Sequence, residues 1–182
     1  KKECPLCDGR EVTICGTEGN DKITGTPEAD VIHGLGGDDV IRGGGGGDVI
    51  CGGEGDDVIN GDKGDDILLG GLGDDKVFGG IGREKIFGGD GDDKLYGQLS
   101  SDLIYGNAGN DQVIGGAGND HLEGDEGNDV LVGEKGHDTL YGGSGFDKLR
   151  GDEGNDFLDA DEGNQDSCDG GIGRDQIKNC EF

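Results

Sequence analysis

The sequence has no Trp and no Met, only 5 Phe and 3 Tyr among 182 residues, and 15 Lys and Arg against 42 Asp and Glu. By composition alone, few aromatics and much charge describe a chain that stays disordered, because too little apolar surface is on hand to offset the entropy of ordering. The acid excess sets the formal charge at −27, which repels nucleic acid and anionic membrane and attracts cations. No run approaches eighteen apolar residues, so no membrane span is expected. No basic stretch leading into an apolar one and a cleavage site stands at the start, so any export signal is taken as removed before Lys1. Catalytic material is scarce too: Ser is rare, and His33, His121 and His137 fall at unrelated places and are taken as surface residues. No D-x-D-x-D-G loop with a closing Glu marks an EF-hand. An enzyme is not expected.

What the chain does have is 45 Gly in a strict order. The stretch GGEGDDVIN GDKGDDILL GGLGDDKVF, residues 52–78, repeats nearly the same nine residues three times. In frame from Gly16, residues 16–159 divide into sixteen such units without insertion. A ten-residue unit follows at residues 160–169, with Gln165 as the extra residue, and GGIGRDQIK at residues 170–178 closes the series at eighteen. The eighth position is Ile, Leu or Val except at Cys168. The sixth is acidic throughout: Asp21, Asp30, Asp39, Asp48, Asp57, Asp66, Asp75, Glu84, Asp93, Asp102, Asp111, Asp120, Asp129, Asp138, Asp147, Asp156, Asp166 and Asp175. Periodicity of this kind marks a solenoid, in which each unit stacks on neighbours because it cannot close a core alone. The glycine-rich first six positions read as turn, and the last three as a short strand with its middle residue inward. Turn and strand in alternation build an all-β molecule of two facing parallel sheets, with two units, eighteen residues, per coil.

The acid column then needs an explanation. With parallel strands ~4.8 Å apart, sixth-position carboxylates eighteen residues apart stack directly on one another. Two of them ~5 Å apart at an effective dielectric of about 20 repel by roughly 3 kcal/mol. A divalent ion in each gap reverses the sign, and one aliphatic residue in nine leaves ion binding a necessary part of folding. The ligands on offer are hard oxygens, from carboxylates and from carbonyls in pliant glycine turns, which suits Ca2+ better than the strict octahedron of magnesium or the N and S donors of zinc. Sixteen filled gaps would carry the formal charge from −27 to +5, so about a dozen or more ions are expected.

The units match G-G-x-G-x-D-x-U-x, and on that motif the chain resembles the RTX, or haemolysin-type calcium-binding, repeat proteins over nearly its whole length. The resemblance implies a right-handed parallel β-roll with Ca2+ held in the turns by Asp carboxylates and backbone carbonyls. Departures from the motif fall in even-numbered units. TPEAD at residues 26–30 lacks the fourth-position Gly, GREK at residues 82–85 carries Glu84, and QLSSD at residues 98–102 has Ser100 for Gly. Sites near Asp30, Glu84 and Asp102 are therefore expected to be weak, empty or differently coordinated, unless these changes are neutral drift in a redundant array.

Six cysteines fit disulfides and an oxidising compartment. They divide the chain into an N-terminal cap at residues 1–15, a roll at residues 16–178 and a C-terminal cap at residues 179–182 containing Cys180. Cys168 and Cys180 flank the last unit and pair as a clasp. Cys15 and Cys51 lie two coils apart on one face, ~10 Å, too far to join. A zinc knuckle on Cys4-x-x-Cys7 lacks a second ligand pair. The start, DGREVTICGTEGND, is similar to RTX-like chains with one Cys at the place of Cys7 and another in an ICGG like residues 50–53, which implies Cys7 with Cys51 and leaves Cys4 with Cys15.

Outward positions carry apolar stripes: Val31, Val49, Ile67, Leu69, Phe87, Leu103 and Tyr105 on one face, and Phe78, Tyr96, Ile114 and Val132 on the other. Such stripes mark a partner surface, or cross-strand stacking that stiffens a sheet. The function expected is a secreted, non-catalytic structural protein that folds on extracellular Ca2+ with ~0.1 to 1 mM affinity, with homo-oligomers or head-to-tail filaments as a further form. The alternatives are a folding and secretion module of a larger RTX toxin, protease or lipase, and an adhesin.

Overall fold

The computed structural model describes residues 4–161 and 166–180, and within them the chain is a β-solenoid of about nine coils without a helix. Nineteen strands form a ten-stranded and a nine-stranded sheet, all parallel, with consecutive strands alternating between the two. Each strand pairs with those eighteen residues away. Ile50, for example, lies between Ile32 and Leu68. The eighth-position aliphatics point inward from both sheets, from Ile23 to Leu158, and make up almost the entire core. Near the C-terminal end the register lengthens by one, with Lys148 opposite Ser167. That is the effect of the ten-residue unit, whose extra residue, Gln165, lies outside the described residues.

The strands are longer than the sequence reading gave them. They run six residues, such as Val58–Lys63, taking in the first three positions of the following unit. Those positions still pair through the main chain: Gly45 N–H donates to Thr26 O at 3.1 Å, and the third-position carbonyls of Leu72 and Ala108 accept the N–H groups of Gly55 and Gly91, both at 2.8 Å. The turn is only the fourth to sixth positions, and glycine at the first position meets a steric demand inside a strand.

All three expected disulfides form: Cys4–Cys15, Cys7–Cys51 and Cys168–Cys180. Cys4 and Cys7 are thereby removed as zinc ligands. His33 stands between Cys15 and Cys51 in the sheet register, which confirms the two-coil gap between those cysteines. The outward stripes are mostly half-buried, and Val49 and Val132 are buried. Phe78 stacks on Tyr96 at 5.0 Å and Phe87 on Tyr105 at 5.1 Å, nearly parallel. Ring faces are thus spent on one another, so these stripes stiffen the sheets. The large apolar side chains that do face solvent include Leu72, Ile81 and Leu99, at third positions.

Candidate metal-binding columns

The sixth-position acids form two columns, one along each edge where the sheets meet in turns. From Asp30 to Asp166 all are buried, while Asp21 and Asp175 at the ends are half-buried. From Asp39 onward each Asp divides its two carboxylate oxygens between two roles. Oδ1 accepts the N–H of the acid one coil earlier: Asp57 Oδ1 from Asp39 at 2.7 Å, Asp75 Oδ1 from Asp57 at 2.7 Å, Asp138 Oδ1 from Asp120 at 2.8 Å. Oδ2, from Asp39 to Asp166, is buried and has no hydrogen-bond partner.

That orphan oxygen faces the glycine that opens its own unit. A Cβ on Gly52 would fall against Asp57 Oδ2 and the carbonyl oxygen of Gly70, and a Cβ on Gly88 against Asp93 Oδ2 and Gly106 O. Glycine therefore keeps open a gap rimmed by one carboxylate oxygen and one carbonyl oxygen at most levels of both columns, Ala160 in the unit of Asp166 being an exception. Among the described residues no three His, Cys, Asp or Glu side chains converge, so an ion here would be caged by carboxylates together with carbonyls. Both are hard oxygen donors, the set Ca2+ takes.

Burial is what disturbs these acids. It pushes Asp57, Asp75, Asp93, Asp111, Asp120 and Asp129 up to about 7, with nearby carboxylates adding and the accepted N–H opposing. Asp66 and Asp138 are raised to about 6 for the same reason. A buried anion needs a partner or a proton, and no protein cation stands at Oδ2.

The profile of the RTX calcium-binding nonapeptide repeat matches residues 16–50, 52–83, 78–113, 105–140, 114–149, 132–164 and 141–177. The chain belongs to the RTX calcium-binding repeat family. A search of curated proteins returns no match to it. The residues present in this RTX roll fit the family's ion, by the orphaned buried oxygens and by the gap that a Cβ would close.

The three departures from the repeat prove to be of different kinds. Asp102 keeps the regular pattern, its N–H donating to Asp120 Oδ1 at 2.9 Å and its Oδ2 unpartnered. Ser100 takes up the left-handed turn in place of glycine, at φ 84°. Glu84 breaks the column: it does not accept the Asp66 N–H, both its oxygens are orphaned, and burial with the Asp102 carboxyl raises its pKa. Asp30 differs because its Oδ2 is satisfied by Thr26. The histidines do not converge on the columns. His33 and His121 are half-buried, His33 Nδ1 accepting the Leu35 N–H at 3.1 Å and His121 Nε2 lying 2.6 Å from Glu123 Oε1, while His137 is exposed.

Sequence reasoning missed a second ladder at the fifth position. Asp56, Asp74, Asp92, Asn110 and Asn128 each accept, through a side-chain oxygen, the N–H of the fifth residue one coil later. It runs in the opposite sense to the sixth-position ladder. The signal was the excess of Asp and Asn at this position in odd-numbered units, hidden by its apparent role as surface charge. In even-numbered units Ala29, Gly47 and Arg83 cannot accept and interrupt the ladder toward the N-terminus, but from Ser101 it runs through Asn119, His137 and Asn155 to the Arg174 N–H.

Proposed function

We propose that the protein is a non-catalytic structural roll whose coils lock when Ca2+ enters the two acid columns, with Asp39 to Asp156, Glu84, Asp166 and Asp175 as carboxylate ligands and first-position glycine carbonyls completing each cage. The observation that carries this is the unbroken series of buried carboxylate oxygens with no protein partner. When bound, the ion supplies the positive charge that lets stacked carboxylates approach. The chain's own part is to aim Oδ1 at a backbone donor and leave Oδ2 free.

Three disulfides support folding in an oxidising, extracellular setting, where millimolar Ca2+ is present. The chain would cross to that setting unfolded and harden there. Titrating Ca2+ into chelator-treated protein should raise β-sheet circular dichroism in a cooperative step between ~0.1 and 1 mM. Full β content that survives exhaustive treatment with EGTA would end the proposal. Head-to-tail filaments would require an open rung at both ends. The hydrogen bonds of Thr17 to Asp21 and of Thr26 to Asp30 at the N-terminal coil favour a roll that acts singly over a filament. Light scattering in 5 mM Ca2+, a concentration of about five times the upper affinity estimate, should report monomers.

A further inference from the structure

Asp21 and Asp30 depart from the columns they begin. Thr17 meets Asp21 Oδ2 with its N–H at 2.6 Å and its hydroxyl at 2.8 Å, and Thr26 meets Asp30 Oδ2 at 2.6 and 2.9 Å. Both threonines stand at the second position of their unit. At every other described second position φ is positive, in Leu35, Asp62, Gln98 and Glu134 as well as in the glycines. A β-branched side chain is all but excluded there, because its second branch collides with the backbone. Thr17 and Thr26 hold the peptide in the ordinary region, present the N–H to the carboxylate, and add a hydroxyl.

The outer side of the even column is closed as well. Thr13 Oγ1 lies 3.3 Å from Asp30 Oδ1, the oxygen that has no earlier coil to serve, and it accepts the Val31 N–H at 2.9 Å. Cys4–Cys15 ties the N-terminal segment to the strand that precedes the first unit, and Cys7–Cys51 ties it to the end of the fourth unit.

We propose that the first coil is a metal-independent cap: protein donors take the place of the ion at Asp21 and Asp30, the calcium columns begin at Asp39 and Asp48, and the cap is the seed on which filled coils grow toward the C-terminus. This rests on the calcium reading of the later carboxylates. It makes Thr17 and Thr26 the residues that decide where the array starts.

Amide exchange on the full, oxidised chain tests it. In EGTA, peptides spanning residues 13–33 should exchange about a hundredfold more slowly than peptides from residues 100–120, a difference of the kind that separates a formed unit from an open one. Added Ca2+ should then slow the later peptides. Equal exchange of the two regions in EGTA would overturn the cap. Because disulfides alone could hold the end, the second arm is Thr17→Gly with Thr26→Gly, disulfides intact. This variant should lose the protection of residues 13–33 in EGTA, regain it in Ca2+, and bind at least one more ion per chain by equilibrium dialysis. An unchanged ion count with unchanged protection would also overturn it. If neither protein bound Ca2+, the calcium reading itself would fall, and the exchange in EGTA, which needs no metal, tells that result from failure of the cap.

Discussion

Asp93 lies in mid-column, its Oδ1 accepting the Asp75 N–H at 2.7 Å and its Oδ2 orphaned. Asp93→Asn keeps an acceptor oxygen for the N–H but removes the charge, so it should leave the strand register intact and lower the number of ions bound, as read by equilibrium dialysis. Glu84 is the converse case. The extra methylene carries its carboxylate past the Asp66 N–H, so Glu84→Asp should restore the missing bond and raise the unfolding free energy in Ca2+ by ~1 kcal/mol, checked by denaturant titration. A shift of zero or of opposite sign would mean that the longer side chain has a use of its own. In the core, Leu122 is fully buried in one of the two files of aliphatics that meet between the sheets. Leu122→Ala should cost about 2 to 5 kcal/mol in saturating Ca2+.

A strand and its turn make the repeating element, and glycine does different work at different positions in it. At the first position it is inward, and any Cβ fills the gap beside Oδ2. Gly88→Ala should therefore weaken Ca2+ binding without unfolding the β-roll at high Ca2+, as read by calcium titration with circular dichroism. At the fourth position the demand is for a left-handed turn stacked closely on the coil before: Gly64, at φ 131°, lies against the carbonyl of Gly46. Asn110 shows the fifth-position ladder at its fullest, donating its Nδ2–H to Asp92 Oδ1 at 2.9 Å and accepting both the N–H and the Nδ2–H of Asn128. Its replacement by Ala should cost ~1 kcal/mol, small because the site is exposed, and the loss should persist at saturating Ca2+.

At the scale of the whole molecule the two columns tie stability to both Ca2+ and protons. Burial raises Asp57, Asp66, Asp75 and Asp93 to about 6 or 7 in the metal-free fold, above their unfolded values near 4. The folded state then binds more protons than the unfolded one. Protonation favours the metal-free roll below pH ~4, and this support is lost as pH rises through 6 to 7. In EGTA, β content should therefore increase on acidification from pH 8 to pH 5, provided net charge is screened with salt. With Ca2+ present the dependence should invert, because protons compete with the ion for the same carboxylates. Circular dichroism along both pH series checks this, and the same sign in the two would contradict an ion held at Oδ2.

Much of this molecule was legible in its residues. A strict period of nine with one regular aliphatic and one acid per unit leaves few options: the eighth position must be inward, because it is apolar in every unit, and the sixth must recur in register, because parallel coils superpose equal positions. The disulfides at Cys168–Cys180 and Cys7–Cys51 followed from where the ends of a roll must lie and from resemblance. What the tertiary structure alone decided depends on main-chain geometry that side-chain identity does not report. Strands reach three residues into the glycines because main-chain pairing needs no side chain. Aromatic stripes became stacked ladders because neighbouring coils are as far apart as two rings in contact. Thr17 and Thr26 look like minor substitutions for glycine, yet each flips a peptide and satisfies a carboxylate, since the sign of φ at one position sets which way an N–H points.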